Sequence, residues 1–383
     1  MASGGTIKPP PHSSICFARN LFQALSKSPE LSAKNHMVSP AAARSALTLV
    51  FMGAGVKSAE ELRRGLLLGS AKKVEIAEQH AEVMSKECVC NEKGVSMRLA
   101  TGLFVKDDLE LLPDFNAKAL EFFNVQADTL NFLDAQSAMQ HVNKWIASQT
   151  FHTIRNPFSP ATFSVESSVL LVNSVYFRAR WAKRFAVEHS TLDDFWINPK
   201  QRMQLTMMRQ VGKFRYGQSN KLKSRILQLP FEESDLTMLL IVPFEIDGLP
   251  ELEMKLQQFD LNEVALKSVM HDCEVMMPRF KMECDVDLKV PMQKLGIKRI
   301  FEPGNADLSG LFAKKSQGLI TEARQKLYLN VNEAGCETNS DAPVKPAAVG
   351  KDVELKIFKA NHPFVFAIRN NRNVYFVGHF VKP

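Results

Sequence analysis

The sequence predicts an α+β fold built around a large β-sheet. Helix-forming patterns dominate the first half of the chain, and segments rich in β-branched and aromatic residues dominate the second half. The composition does not change sharply anywhere along the 383 residues. A usual length of about 150 residues per domain would give two or three domains, but the unbroken composition favours one domain that spans residues 1–383.

Three segments of the first half space their apolar residues as a helix does. The first is HSSICFARNLFQALSK. Ser58 and Glu61 form a capping box, which predicts the start of a second helix in SAEELRRGLLL. The third segment, AMQHVNKWIASQT, predicts an amphipathic helix that buries Val142, Trp145 and Ile146.

Four segments of the second half are predicted strands, because they are β-branched, aromatic and bounded by Pro or Asn turns. They are SSVLLVNSVYF, LTMLLIVPF, HPFVFAI and NVYFVGHFV. The basic stretch FRARWAKRF, residues 177–185, is interpreted as a strand end with solvated flanks rather than as a polyanion site.

Composition and charge exclude several classes of protein. The chain is 45% hydrophobic and 23% charged, with 18 Gly and 19 Pro, which excludes collagen, a disordered tail protein and a small disulfide scaffold. The net charge is only +7 and no run of five basic residues occurs, so we predict no nucleic-acid partner.

The compartment stays open at this point. No apolar core of a signal peptide follows the first residues, and no window approaches 18 apolar residues, so no membrane span is expected. Sparse cysteines and the lack of an Asn-x-Ser/Thr sequon favour a reducing, cytoplasmic compartment, while secretion with the signal omitted is the alternative. The six cysteines are Cys16, Cys88, Cys90, Cys273, Cys284 and Cys336.

The glycines of Gly53-Ala54-Gly55 follow an apolar run and could open a dinucleotide-binding loop. Ser58 stands where the third glycine of that motif belongs, and a lone G-x-G is weak. A turn between two helices is the favoured interpretation, and we predict no cofactor.

The sequence gives no direct sign of an enzyme or a metal site. Cys88 and Cys90 have no second pair at zinc spacing, and His80 is a lone histidine. No G-x-S-x-G nucleophile elbow occurs. We therefore predict no catalytic residue and no metal ligand.

Residues 333–354, EAGCETNSDAPVKPAAVGKDVE, are polar and Pro-bearing and lie between two strand-like segments. A loop of about twenty residues inside a compact domain is rare unless it is functional or disordered. It is either a mobile surface loop or a presented peptide.

Several motifs occur in an order that resembles the serpin family over nearly the whole chain. They are NHMVSP (residues 35–40) with Met52-Gly53-Ala54, VNKWI, LVNSVYFRARW, LQLPF, MLLIVP, MPRF, ADLSGL, NHPFVF (residues 361–366) and Gly378. The resemblance implies a serpin fold of three β-sheets with about nine helices and an exposed reactive-centre loop, here residues 336–354. It also implies a monomer without cofactors whose partner is a protease. In inhibitory members the protease cleaves the loop, forms an acyl-enzyme, and is trapped when the loop inserts into the main sheet as a new strand.

The resemblance assigns a hinge at the start of the loop: Glu333, Gly335, Cys336, Glu337 and Thr338. Glu333 would pair with Arg279 at the top of the sheet. An inserted strand alternates its faces; the small residues are Cys336, Thr338, Ser340 and Ala342, and the solvent-compatible ones are Glu337, Asn339 and Asp341. This alternation permits insertion.

Other features oppose insertion. Pro343 and Pro346 each remove a ladder donor from the strand that would form, and the hinge is more polar than in most inhibitory members. The sheet-opening residues that the resemblance assigns are Ser39, Asn173, Trp181, Arg279 and Gln325. Gln325 replaces the family histidine that bonds to Asn173, although glutamine can still donate and accept, and Ala42 replaces a common second serine.

Family spacing from Glu333 places the cleaved bond at Val349–Gly350, within a range from Lys345 to Lys351. Small apolar residues before this bond favour an elastase-like protease. Cleavage at Gly350–Lys351 would suit a papain-like cysteine protease, and a trypsin-like target, which needs Lys345 or Lys351, is the least favoured.

The favoured function is therefore a suicide-substrate inhibitor of a serine or papain-like cysteine protease. The alternative is a non-inhibitory serpin that acts as a binding or chaperone protein.

Overall fold

The computed structural model describes residues 13–27, 33–88, 94–163, 166–313, 318–336 and 354–382. Within these ranges the helices are α1 (Ser13–Ser26), α2 (Pro40–Gly53), α3 (Val56–Gly65), α4 (Lys73–Glu87), α5 (Pro113–Phe123), α6 (Ala135–Gln149), α7 (Leu249–Leu256), α8 (Leu261–Leu266) and α9 (Lys289–Lys294). The strands are β1 (His36–Val38), β2 (Val95–Lys106), β3 (Asp128–Leu130), β4 (Val169–Arg180), β5 (Thr191–Asn198), β6 (Gln201–Ser219), β7 (Ser224–Pro230), β8 (Thr237–Pro243), β9 (Val269–Pro278), β10 (Phe280–Asp287), β11 (Ile320–Val331), β12 (Gly335–Cys336), β13 (Lys356–Lys359), β14 (Phe364–Arg369) and β15 (Val374–Phe380).

A six-stranded sheet has the order β10-β11-β12-β4-β2-β3. Its centre is unusual because β4 and β11 also pair directly and in parallel, from Ile320 opposite Val169 to Leu327 opposite Val175. The two-residue strand β12 separates them only at one end. Strands β4 and β11 are therefore in direct contact along most of the sheet. They are separated only at the end near Arg180 and Val331, called the top of the sheet below, where β12 lies between them.

The remaining nine strands form one continuous ladder, β1-β15-β14-β8-β7-β6-β9-β13, with β5 also paired to β6. The 19-residue strand β6 joins two portions, because its first part pairs with β5 and β9 and its last five residues pair with β7. Counted with the six-stranded sheet, these portions are the three sheets that the resemblance implied. The nine helices of the described residues confirm the predicted α+β class.

The glycine turn between α2 and α3 is confirmed as a helix-to-helix connection. A side chain on Gly53 would overlap Leu311, and one on Gly55 would overlap the Asp307 carboxylate. The Gly53 carbonyl also accepts a hydrogen bond from the Gly310 N–H at 2.9 Å. Close packing against residues 307–311 thus requires both glycines.

The predicted capping box at Ser58 is wrong. Helix α3 begins at Val56 with Gly55 as its N-cap, so Ser58 lies inside the first turn and is buried. Its hydroxyl accepts the Asp307 N–H at 3.0 Å, and the Glu61 carboxylate accepts the Lys298 N–H at 2.8 Å. Both side chains satisfy donors of a distant loop rather than of their own helix.

Helix α6 is amphipathic as predicted, with Val142 and Ile146 fully buried, but Trp145 is only half-buried. Its ring meets the edge of Phe104 at 5.6 Å. The basic stretch is a strand end, since β4 stops at Arg180 while Trp181 and Phe185 are buried. No helix of the described residues has the length and apolar character to cross a membrane.

Candidate functional site at the loop hinge

The strand β12 occupies the place that an additional central strand would take. Gly335 pairs with Arg180, and Cys336 pairs with Ala179 of β4 and Val331 of β11, antiparallel to both neighbours. Cys336 is 1% exposed and belongs to an apolar cluster beneath the sheet. The first small residue of the predicted alternation is thus already inside the sheet.

Most of the predicted loop lies outside the described residues, which end at position 336 and resume at 354. The hinge residues Glu337 and Thr338, and the candidate bond positions Lys345, Val349, Gly350 and Lys351, belong to this range. Their assignments remain predictions.

A tight turn of residues 332–335 places β12 between β4 and β11. The Gly335 N–H donates to the Asn332 carbonyl at 3.2 Å, the Asn332 N–H donates to the Gly335 carbonyl at 2.9 Å, and the Asn332 side chain accepts the Ala334 N–H at 3.0 Å. Gly335 has φ +156°, and a Cβ there would overlap the Ala179 carbonyl oxygen. The hinge therefore needs glycine at this position.

Glu333 fastens the turn to the neighbouring strands, and its predicted pairing with Arg279 is confirmed. The guanidinium reaches both carboxylate oxygens, at 2.6 and 3.1 Å, and the Ser190 hydroxyl donates at 2.7 Å. Burial raises the pKa of Glu333, but the hydrogen bonds from Arg279 and Ser190 lower it by more, so the net shift is downward. Sequence reasoning missed Ser190 because nothing local marks it as a partner of residue 333.

Trp181 holds the turn from the β4 side. Its backbone N–H donates to the Ala334 carbonyl at 2.8 Å, and its indole N–H donates to the Asn332 carbonyl at 2.9 Å. The buried ring stacks on Phe231 with centroids 4.8 Å apart. Trp181, which the resemblance assigns to the sheet-opening region, thus contacts the hinge directly, and its role in opening the sheet stays a prediction.

The side chain of Gln325 bonds to Ser39 and makes no bond to Asn173. It is fully buried, accepts the Ser39 N–H at 2.7 Å and donates to the Ser39 carbonyl at 3.0 Å. Asn173 instead donates to Thr101 at 3.0 Å, and its side-chain oxygen makes no hydrogen bond to a described residue. Gln325 therefore connects β11 to the N-terminus of α2, whereas the expected bond to Asn173 would have connected β11 to β4.

We expect Glu333→Gln to destabilise the folded protein by about 1–2 kcal/mol at neutral pH, because it weakens charge-assisted bonds to a partner, Arg279, that is itself half-exposed. The lowered pKa means that this stabilisation is present above the ordinary Glu value of 4.5 and is lost as pH falls through the folded-state pKa. Urea unfolding at neutral and acidic pH measures the difference from the wild type. Asp108→Asn, in an exposed pair with Lys106, is the matched control and should have a smaller effect. A difference between the Glu333→Gln and wild-type proteins that persists unchanged in strong acid would contradict this expectation.

Comparison with known proteins gives one consistent result. The family model described as "Serpin (serine protease inhibitor)" matches residues 12–383. Serine protease inhibitor 42Dd of Drosophila melanogaster is 32% identical over 367 residues, which cover 96% of this chain and 95% of that protein. Leukocyte elastase inhibitor of Xenopus laevis is 30% identical, covering 97% and 99% of the two chains. The crystal structure of Serpin48, from the insect Tenebrio molitor, is similar with a TM-score of 0.86 at 28% identity, over 97% and 98% of the two chains.

Proposed function

This chain belongs to the serpin family, and on that premise we propose that it inhibits a serine or papain-like cysteine protease as a suicide substrate. The family is one of protease inhibitors and not of catalytic enzymes. The observation that carries the proposal is β12, because its two residues already pair antiparallel between β4 and β11. An inserted loop needs this position and this direction.

The proposed reaction starts as ordinary proteolysis. The protease hydroxyl or thiol attacks the carbonyl of the residue before the cleaved bond, the amine of the next residue leaves with a proton, and an ester or thioester remains. The freed segment then extends β12, and the parallel pairing of β4 with β11 gives way to two antiparallel ladders. Thr338, Ser340 and Ala342 continue the inward face that Cys336 begins.

For the cleaved bond we propose Val349–Gly350, with an elastase-like protease as the first target. Ala347, Ala348 and Val349 offer small apolar side chains, and relatives named leukocyte elastase inhibitor support the same class. Gly350–Lys351 for a papain-like protease, and a bond at Lys345 or Lys351 for a trypsin-like one, are the alternatives.

We expect an elastase-like protease to form a complex with the intact protein that survives denaturing gel electrophoresis, at a ratio near one to one. Parallel incubations use elastase-like, papain-like and trypsin-like enzymes, and mass spectrometry of the released C-terminal peptide locates the bond. The peptide should begin at Gly350.

Val349→Asp should abolish the elastase complex because a buried carboxylate is unfavourable in an apolar pocket, while Asp352→Asn serves as the control. Cleavage by every enzyme without a complex would refute inhibition.

A non-inhibitory binding or chaperone role is the second candidate. It is favoured by Pro343 and Pro346 in the loop and by the tie between Gln325 and Ser39, which holds β11 in place. The test is the melting temperature after loop cleavage. A rise of tens of degrees would exclude this role, whereas an unchanged melting temperature in both the wild type and the double variant Pro343→Ala/Pro346→Ala would support it.

A further inference from the structure

A cleft of about 230 Å³ lies between α1, α2 and α4, on the helical side of the molecule and apart from the hinge. Helix α2 contributes Arg44 and Ser45 to its lining, and α4 contributes Ile76, His80 and Val83. No acidic side chain lines it. The cleft therefore combines a cation with an apolar wall.

Two arginines line the cleft. Arg372 is paired with Glu87 and Asp235, whereas the contacts of Arg44 are all to neutral groups. The Arg44 guanidinium donates to the Leu66 carbonyl at 3.0 Å, and to the Leu67 carbonyl and Ser13 hydroxyl at 3.4 Å each. Among the described residues no carboxylate forms an ion pair with it, and burial lowers its pKa to about 10. A half-buried cation without an opposite charge is an unfavourable arrangement that an anionic ligand would relieve.

The neighbouring Ser45 and His80 supply polarity without a second charge. The Ser45 hydroxyl lies 2.7 Å from His80 Nε2, and His80 Nδ1 lies 3.3 Å from the Phe122 carbonyl. That carbonyl can only accept, so Nδ1 carries the hydrogen and Nε2 accepts from Ser45. Burial is the largest influence on the pKa of His80 and lowers it to about 4, so the ring is neutral at pH 7. Because Arg372 is already paired with two carboxylates, Arg44 supplies the one uncompensated positive charge of the described lining, which matches a single anionic group.

The rest of the lining sets the shape of a ligand. Ile76, Val83 and Met84 of α4 form an apolar strip beside Arg44, and Val83 is 36% exposed at its rim. The volume lies below the roughly 300–1,000 Å³ of sites for drug-sized molecules. Outside the cleft, the exposed Glu78 of the same helix would repel a long polyanion, while Glu82 is paired with Lys86.

We propose that this cleft binds a small amphipathic carboxylate, with the carboxylate on Arg44 and the hydrocarbon along Ile76, Val83 and Met84. The inference is independent of the protease-inhibitor proposal, because it uses none of the hinge residues. It assigns the molecule a second site whose ligand is a medium-chain acid or a similar small organic acid.

Isothermal titration of the full chain with octanoate tests the proposal, with 1-octanol and octylamine as neutral and cationic probes of the same chain length. Octanoate should bind one to one and raise the melting temperature, and the other two should not. Arg44→Gln should weaken octanoate binding about 10- to 100-fold, the range of a lost charge-assisted bond, and Arg44→Lys should restore part of it. Arg64→Gln, which removes an exposed cation from α3, is the charge-matched control and should bind as the wild type does.

Val83→Trp provides a second variant that fills the cleft from its exposed rim and leaves Arg44 in place. It should block octanoate while the protein stays folded, which distinguishes loss of the site from loss of the fold. Absence of octanoate binding to the wild type, equal binding by wild type and Arg44→Gln, or equal binding of octylamine would each overturn the proposal.

Discussion

Under the proposed inhibitory mechanism, replacing Cys336 by arginine is expected to abolish trapping of the protease while leaving the loop a protease substrate. Cys336 is 1% exposed within an apolar cluster between Ala179 and Val331. A guanidinium there would be buried without an opposite charge, which costs several kcal/mol. The chain avoids this cost by leaving the sheet, so β12 is lost and insertion cannot begin.

Quantitative gels measure the fraction of protein that is trapped against the fraction that is only cleaved. Several kcal/mol at the first inserted position corresponds to a fall in trapping of about 100-fold or more. Loop cleavage itself should continue at the wild-type rate, because the proposed Val349–Gly350 bond is distant in sequence from position 336. Cys336→Thr, which is small and can satisfy its hydroxyl locally, is the matched control and should still trap the protease.

The intact Cys336→Arg protein should melt within a few degrees of the wild type, because the hinge leaves the sheet without disturbing the core. A strongly lowered melting temperature would show that the substitution damages the fold instead. Efficient trapping by a well-folded Cys336→Arg variant would contradict the role assigned to β12.

Acidification from pH 6.5 to about 3 is expected to remove up to roughly 5 kcal/mol of stability through His36 alone. His36 is 3% exposed on β1, its Nδ1 lies 3.0 Å from His379 Nε2, and its ring stacks on Phe22. Burial first, and then the charge of His379, lower its pKa from 6.5 to about 3. As the pH falls below 6.5, the His36 ring becomes protonated in the unfolded chain but stays neutral in the folded chain. The free energy of unfolding is therefore at its full value above pH 6.5 and declines as the pH falls.

The groups that face His36 are few. His379 of β15 contacts it directly, and Glu253 of α7 contacts the far side of the His379 ring at 2.7 Å. His36→Gln should flatten the pH dependence of the free energy of unfolding between pH 6.5 and 4, whatever its effect at neutral pH. His189→Gln, which removes an exposed histidine, is the control. If His36→Gln leaves the slope unchanged, another group causes the acid sensitivity.

Local sequence was a good guide where the deciding interaction is short-ranged or depends on steric exclusion. The glycines at positions 53 and 55 were correctly placed in a turn, because only glycine tolerates such close packing. The pairing of Glu333 with Arg279 was also correct, but it came from family resemblance, since the two residues are far apart in sequence.

Local sequence failed where a polar side chain has two possible partners. Ser58 has the spacing of a helix cap, yet it faces inward and satisfies the Asp307 N–H. Gln325 stands opposite Asn173 in the ladder, yet its amide reaches the backbone of Ser39. The sequence also did not indicate the cleft, because Arg44 and His80 come to line one cavity only when α2 and α4 pack together. Such choices depend on the three-dimensional distance between elements, which no local pattern encodes.

The early pairing of Gly335 and Cys336 has a consequence for rates. Starting a new strand requires fixing backbone residues, at about 1–2 kcal/mol each, before many ladder bonds compensate. In this structure the first two residues are already paired between β4 and β11. Under the proposed mechanism, insertion would therefore only have to extend an existing strand. A protease bound as an acyl-enzyme would escape by hydrolysing the acyl bond during the time that insertion takes, so a preformed strand end would shorten this time and favour trapping over escape.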